Sequence, residues 1–480
     1  MEYTEFLETK RAVVEPTGFE VAADLINHKL FPFQRDIVRW ALHLGKAAIF
    51  ANVGLGKTGM QLEWAHWVAQ HTEGRVLILA PLAVADQTVR EGQKFGIEVK
   101  HVREQSDIDS TPIVVTNYDR VHKFDLSQFK GVVLDESSIL KHYSKTFFEL
   151  VERFKDTPYR LCCTATPAPN DWVELGNHAM FLGIMHFKDM LARWFVGEGD
   201  IARQARLKQH AEADFWRWLT SWAVCLSKPS DLGTQYDMPG YELPPLHAHE
   251  HRLNANQAMI DRAWAEGKLL PETAPSATKF MQVKRDSLSE RVKRAVGIIA
   301  SLPKDEPVIV WCDTDFEADA LLDALKSFSF RHGGISMPVE VRGSQSPEDK
   351  ETFLRSFSDN EAKIIITKPE IAGFGLNWQH CAHMIFAGVS FSFERTYQAL
   401  GRVHRYGQTR PVHVHMIYAE TEGDVMQILK EKQEAFKVMQ AQMTAAIQEH
   451  GLFRDGATAT VYASSHGTIP MILPEWLKGK

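Results

Sequence analysis

The stretch Ala51-Asn-Val-Gly54-Leu-Gly56-Lys57-Thr58 constrains this chain more than any other. It lies between an apolar run suited to a strand, 47–51, and a helix-like run, 59–69. Glycines at such a junction expose backbone N–H groups that cradle phosphate oxygens, and the helix N-terminus adds partial positive charge. Lys57 then reaches the β- and γ-phosphates, and Thr58 is placed to ligate Mg²⁺. A loop of this kind requires a strand to end and a helix to begin at one point, so it commits the surrounding chain to α/β folding. A plain glycine turn that happens to precede Lys-Thr is the alternative, and the strand context argues against it.

Short β-branched runs recur in two series, each interleaved with helix-like stretches, as in parallel α/β folds. The first series is 47–51, 75–80, 113–117, 132–135 and 160–164; the second is 307–312, 337–341, 363–367, 383–387 and 412–418. Each suffices for one open parallel sheet, and 480 residues exceed what one hydrophobic core ordinarily holds. Between the series, from 175 to 300, the β pulses stop and Trp-, Arg- and Glu-rich helical patterning takes over. Pro239, Gly240, Pro244 and Pro245 break helices and read as a linker. The expected class is therefore α/β, two parallel-sheet lobes with a helical insertion between them. The expected divisions are an N-terminal ATP-binding lobe, 1–175, an insertion, 176–240, a C-terminal lobe, 241–440, and a tail, 441–480.

The second strand of interest, Val132-Val-Leu-Asp135-Glu136, ends on adjacent carboxylates. Alone, such a pair is usually a helix cap. Beside a phosphate loop, Asp135 is suited to hold Mg²⁺ and Glu136 to orient and deprotonate an attacking water. Gln34 lies 23 residues before Lys57, and its amide can pair bidentately with an adenine edge. Thr164-Ala-Thr166-Pro167 follows the next strand and could link the carboxylates to a nucleic-acid track.

The second series contains Gln398-Ala-Leu-Gly401-Arg402-Val-His404-Arg405-Tyr-Gly407-Gln408. Arg402 and Arg405 are spaced i, i+3, which on a helix places both guanidinium groups on one face, able to reach a γ-phosphate across a cleft between lobes. The alternative is a basic helix face, for which Gly401 is a poor choice.

These motifs together resemble superfamily-two helicase ATPases and, within them, the Swi/Snf-type DNA translocases. The resemblance runs from about 30 to 424. It covers the adenine-reading segment ending at Gln34, the phosphate loop, 77–82, Thr116-Asn-Tyr118, the Asp135-Glu136 box, 164–167 and Ala372-Gly373-Phe-Gly375-Leu376-Asn377. Ala51 is a variant common in helicase-like ATPases. The continuation His404-Arg405-x-Gly407-Gln408 marks this family rather than helicases at large. The resemblance implies two RecA-like lobes, ATP and Mg²⁺ as cofactors, Gly375 and Gln398 at the nucleotide, and duplex DNA as the track. Two positions depart from the pattern. Ser138 stands where the family usually has a histidine, which implies a different coupling of hydrolysis to the opposite lobe, and Ala165 stands where glycine is frequent.

Composition narrows the setting. A net formal charge of −7 argues against a protein coated in DNA-binding positive charge, so any such surface is local. Candidate runs are Arg203, Arg206, Lys208, Arg217 and Lys228, and the denser Lys279, Lys284, Arg285, Arg291, Lys293 and Arg294, each of which also reads as a solvated helix face. Five cysteines without a CxxC pair fit a reducing compartment, and no signal peptide or apolar span is evident. The expectation is a bare, stand-alone motor of the bacterial or phage kind, in the cytoplasm or a host's cytoplasm, with a protein partner supplying specificity or a nuclease. A strand-separating DNA or RNA helicase and the motor subunit of a restriction or defence complex compete with this reading. A P-loop kinase would leave 398–405 unused, and a non-hydrolysing clamp would not need Lys57, Glu136, Arg402 and Arg405. His413 and His415 alternate along a strand, but without a third ligand they suggest no metal beyond Mg²⁺.

Overall fold

The structure is a computed structural model, and it describes residues 14–81, 84–142, 144–197, 205–254, 277–332, 335–372, 376–390, 392–450 and 452. Fifteen short strands carry the fold among these residues. They are β1 (Lys46–Ala51), β2 (Arg75–Ala80), β3 (Lys100–His101), β4 (Ile113–Asn117), β5 (Phe129–Asp135), β6 (Tyr159–Thr164), β7 (Phe195–Val196), β8 (Arg206–Leu207) and β9 (Ala223–Leu226), then β10 (Leu246–Leu253), β11 (Val308–Trp311), β12 (Pro338–Glu340), β13 (Ile364–Thr367), β14 (His383–Phe386) and β15 (Val412–Ala419).

The first sheet has the order β3-β4-β2-β5-β6-β1-β9 and the second β10-β15-β14-β11-β13-β12. All pairings within both are parallel. The central strands β1, β2, β4, β5, β11 and β13 are almost continuously apolar because helices bury both of their faces. In the first lobe, Ile49, Ile78 and Val133 face Ile37, Met60 and Trp64, while Phe50, Leu77 and Leu134 face the opposite layer. Parallel strands deliver all their C-terminal ends to one edge, where ligand crevices of such sheets form.

The two lobes are the α/β pair that the two series of strands imply. Within 176–240 the chain is not purely helical, contrary to the expectation that β structure stops after 175. Helices Leu175–Leu182, Phe187–Trp194 and Glu212–Thr220 are followed by β9, which pairs with β1 through Ala48↔Ala223 to Ala51↔Leu226. Trp194, Phe215, Trp218 and Trp222 pack ring against ring, and Trp222 reaches Phe50 of β1 at 6.3 Å. The Trp-rich patterning is thus aromatic core beneath the first sheet.

β10 is a second strand that local patterning does not announce. Its sequence, Leu-His-Ala-His-Glu-His-Arg-Leu, lacks an apolar run because it is the edge strand of the second sheet, and it is held by β15 along its whole length.

The helix Gly423–His450 runs on through 441–450, where a tail was expected, and 453–480 lie outside the described residues. It returns to the first lobe: Ile447 joins that lobe's core and Gln448 Nε2 donates to Asp231 O at 3.4 Å. No helix among the described residues is long and apolar enough to cross a membrane. All five cysteines are buried and unpaired.

The denser basic run does not form a solvated face throughout. Lys284 is fully buried and donates to Asp313 Oδ2 at 2.5 Å, with Glu317 beside it at 3.9 Å. Arg291, 1% exposed, pairs with Glu422 and donates to the carbonyls of Ala387 and Ile417 at 3.1 and 3.2 Å. Arg285, Lys293 and Arg294 stay exposed. Arg203 lies outside the described residues.

Candidate active site

The phosphate loop closes β1 and opens the helix Lys57–Thr72, as a strand-loop-helix junction requires. Gly54 and Gly56 have φ of 93° and 76°, the left-handed region that side-chain-bearing residues rarely adopt. Space is short as well: a Cβ on Gly56 would lie 2.3 Å from Gln34 Nε2 and displace it, and one on Gly54 would press on Arg405 Cβ at 3.1 Å. Lys57 Nζ donates to the carbonyl of Ala51 at 2.7 Å, and burial pushes its pKa down while Glu136 and Asp135 pull it back up. Thr58 follows it on the first turn of the helix.

Gln34 is buried with both ends of its amide engaged. Nε2 donates to Leu55 O at 2.9 Å and Oε1 accepts from Phe31 N at 2.8 Å. It thereby fixes the loop to the start of the helix Pro32–Leu44.

Asp135 ends β5, and its Oδ1 accepts from Gln61 Nε2 at 2.7 Å. Burial raises its pKa. Glu136 takes a left-handed φ of 56°, a conformation that costs of order 1–3 kcal/mol in a non-glycine residue and turns the chain out of the strand. Its Oε2 accepts from Thr164 Oγ1 at 3.2 Å and from Gln398 Nε2 at 3.3 Å. Burial, opposed by Lys57 and reinforced by Asp135, pushes its carboxyl up to about 7. A carboxyl raised in this way is a stronger base than an ordinary one.

The second lobe contributes Gln398, Arg402 and Arg405. Here the expected shared helical face is corrected. The helix Phe393–Leu400 ends with Gly401 as its cap, and both arginines lie in the turns that follow. Past the helix end, Arg402 O accepts from Trp378 N at 2.9 Å. The small residue at 401 has its own reason: a Cβ there would stand 2.7 Å from Val53 of the phosphate loop. The two guanidinium groups still converge, since Nη1 of each donates to Leu376 O at 3.3 Å.

Arg402, 3% exposed, also donates to Gln398 O and Oε1 at 3.0 and 3.2 Å. Gln398 thus joins the first-lobe carboxylate Glu136 to the second-lobe guanidinium. Among the described residues neither arginine has a carboxylate within ion-pairing distance, and Arg405 Nε is buried without a partner. Burial and then the neighbouring Arg405 lower Arg402 to about 9, and burial lowers Arg405 to about 10. Arginine remains charged at neutral pH, so these shifts reflect cations whose burial outweighs the attraction of Glu136 on Arg402 and of Glu91 on Arg405.

Several contributors were not legible in the sequence. Gln61 lies one turn beyond Lys57 on the same helix face, and that i, i+4 spacing was its available signal. Asn52 Oδ1 accepts from Tyr397 OH at 2.6 Å and from Gln440 Nε2 at 2.9 Å, contacts spanning more than 340 residues that local patterning cannot reveal. Glu394 reaches Lys141 and Thr166 of the first lobe. His404 Nε2 meets Pro244 O at 2.8 Å, and Gln408 Nε2 donates to Cys381 O at 2.9 Å, so this part of the motif braces the linker and the second sheet. Gly375 lies outside the described residues. No three His, Cys, Asp or Glu among the described residues converge to hold a metal ion.

Comparison with known proteins gives this arrangement a class. Residues 31–174 match the DEAD/DEAH box helicase family, and residues 290–407 match the helicase conserved C-terminal domain. Over 473 residues the chain is 24% identical to an uncharacterized ATP-dependent helicase, YqhH of Bacillus subtilis (strain 168), covering 89% of this chain and 82% of that protein. It is 22% identical to the DNA annealing helicase and endonuclease ZRANB3 of Bos taurus across 84% of this chain, but spans only 40% of that longer relative. The structure of S. cerevisiae Dbp5 bound to RNA and ADP BeF3 aligns with a TM-score of 0.50 at 12% identity, covering 86% of this chain and 93% of that one, which shows the RecA-like fold of the lobes. The fold and the paired domains define an ATPase of helicase superfamily two. The continuation from His404 to Gln408 is the segment on which the resemblance to the Swi/Snf type rests.

Proposed function

We propose that this chain is an ATP-driven motor that translocates along double-stranded DNA, hydrolysing ATP in a site completed only when its two lobes close. One observation carries the reading: Arg405 lies against Gly54 of the phosphate loop, Arg402 converges with it on Leu376 O, and among the described residues neither has a carboxylate within ion-pairing distance. Burying an unpaired charge costs several kcal/mol, and an anionic ligand relieves that cost. A terminal phosphate at the loop is such a ligand.

In this reading Lys57 and the N–H groups around Gly54 and Gly56 hold the phosphates, and Gln34 sets the loop beside the base. Glu136 takes the proton of the attacking water, with Thr164 and Gln398 orienting its carboxylate. Gln398 sits at the nucleotide from the second lobe, the role the resemblance also gives Gly375, which lies outside the described residues. Arg402 and Arg405 act on charge that develops in the transition state. Thr58 and Asp135 would hold Mg²⁺. The ion supplies neutralisation of phosphate charge when bound, and only two protein ligands suit it, because Mg²⁺ keeps waters and phosphate oxygens in its shell.

We assign 1–175 together with β9 to the ATP-binding lobe, the remainder of 176–240 to the intervening segment, 241–440 to the second lobe and 441–480 to a C-terminal segment whose start completes the helix Gly423–His450. Duplex DNA is favoured by the 404–408 continuation and by relatives named for work on DNA. A protein partner would supply site choice or cleavage.

The test is ATP turnover with no nucleic acid, single-stranded DNA, duplex DNA and duplex RNA. Duplex DNA is expected to stimulate most, with a steep loss as salt rises because binding rests on phosphate contacts. Equal or greater stimulation by RNA would replace this reading with that of an RNA motor.

A further inference from the structure

Ser138 removes the histidine through which the resembling family links its carboxylate pair to the opposite lobe, and a hydroxymethyl group is too short to replace an imidazole across a cleft. A second-lobe carboxylate, Glu394, reaches the segments on either side of this site. Glu394, 7% exposed, stands one helical turn before Gln398 on the helix Phe393–Leu400, so both project from the same face toward the first lobe. Its two oxygens divide their partners. Oε2 pairs with Lys141, and Oε1 accepts from Thr166 Oγ1 at 3.4 Å.

Both partners lead back to Glu136 through short covalent paths. Lys141 closes the 3₁₀ turn Ser137–Lys141 that begins directly after Glu136, and Asn177 Nδ2 fixes the same turn by donating to Leu140 O at 2.8 Å. Thr166 N donates to Thr164 Oγ1 at 3.1 Å, and that hydroxyl in turn donates to Glu136 Oε2. Gln398 touches Glu136 itself. A shift of the helix Phe393–Leu400 therefore moves three supports of one carboxylate together.

We propose that Glu394 is the positioning residue that couples lobe closure to Glu136, gripping the segment after the carboxylate pair through Lys141 and the 164–167 segment through Thr166, in place of a side chain at position 138. This rests on the motor reading above. A buried carboxylate with two donors on the far lobe is satisfied only while the lobes are closed, so separating them leaves both it and Lys141 without partners. Closure on DNA then sets the orientation of the base, and opening releases it.

The experiment measures DNA-stimulated and unstimulated ATP turnover, KM for ATP and thermal stability for the parent, Glu394→Gln, Lys141→Met and the exchange Lys141→Glu with Glu394→Lys. Glu394→Gln is expected to lower the ratio of stimulated to unstimulated turnover at least tenfold while KM for ATP stays within twofold. The exchange should recover part of that ratio, because the ion pair re-forms with reversed polarity and Thr166 can accept from an ammonium. A Glu394→Gln protein of parental stability whose stimulation ratio stays within twofold of the parent overturns the proposal. If Glu394→Gln is unstable, Lys141→Met decides by the same criterion. A parent that no nucleic acid stimulates would remove the motor reading itself, a different result from stimulation that survives the substitution.

Discussion

Two regions of the second lobe bury cations and treat them in opposite ways. On the flank, Lys284 and Arg291 are sealed in, and each faces a carboxylate as buried as itself or nearly so: Glu317 beside Lys284 and Glu422 beside Arg291. At the cleft, buried Arg402 and half-buried Arg405 donate to carbonyl oxygens and the amide of Gln398, and among the described residues neither has a carboxylate within ion-pairing distance. The first arrangement is complete without a ligand. In the second an anion would relieve the cost of burying the charge, which is the role proposed above for a nucleotide phosphate. A buried ion pair is weak evidence for function, whereas a buried cation lacking one, aimed at a phosphate loop, points to it.

The contrast can be broken at its strongest point first. Replacing Arg402 or Arg405 with Ala should lower DNA-stimulated turnover by roughly 10³-fold or more, the range typical of arginine fingers. Thermal stability should stay near that of the parent, because among the described residues the change breaks no ion pair. Turnover within twofold of the parent, measured beside an unchanged melting temperature, would end the composite-site account.

The flank should respond in the opposite sense. Arg291→Met leaves Glu422 buried and uncompensated, which should cost about 3–5 kcal/mol of folding stability by denaturant titration. The stimulated turnover of the protein that remains folded should be close to parental. Loss of turnover with stability intact would place Arg291 among the groups serving the nucleotide and dissolve the comparison.

What the sequence revealed divides along the same line. The phosphate loop, Asp135-Glu136 and the strands that carry them were legible because each is contiguous and bounded by strong local signals, and the ten strands expected in two series all form. Residues whose role depends on distant partners were not. Lys284 and Arg291 belong to one basic run, and nothing near them in the chain announces Asp313 or Glu422. The spacing of Arg402 and Arg405 suggested a helix, yet the helix stops at Leu400 and a turn brings the two groups together instead. His413 and His415 were visible as an alternation, but their neighbours are His249 and His251 on β10, an edge strand whose polar sequence hid it. Register between strands, like closure between lobes, is settled by tertiary packing.

The central claim is that the two cleft arginines await the terminal phosphate of a nucleotide, and a comparison of thermal shifts tests it most directly. A ligand that binds only the folded protein raises its stability according to affinity, so ADP and a non-hydrolysable ATP analogue can be compared at equal concentration in the presence of Mg²⁺. The parent should gain more from the triphosphate than from the diphosphate. In the double variant Arg402→Ala with Arg405→Ala the two gains should become equal. A parent that gains equally from both nucleotides, or a variant that keeps the parental difference, would contradict the account.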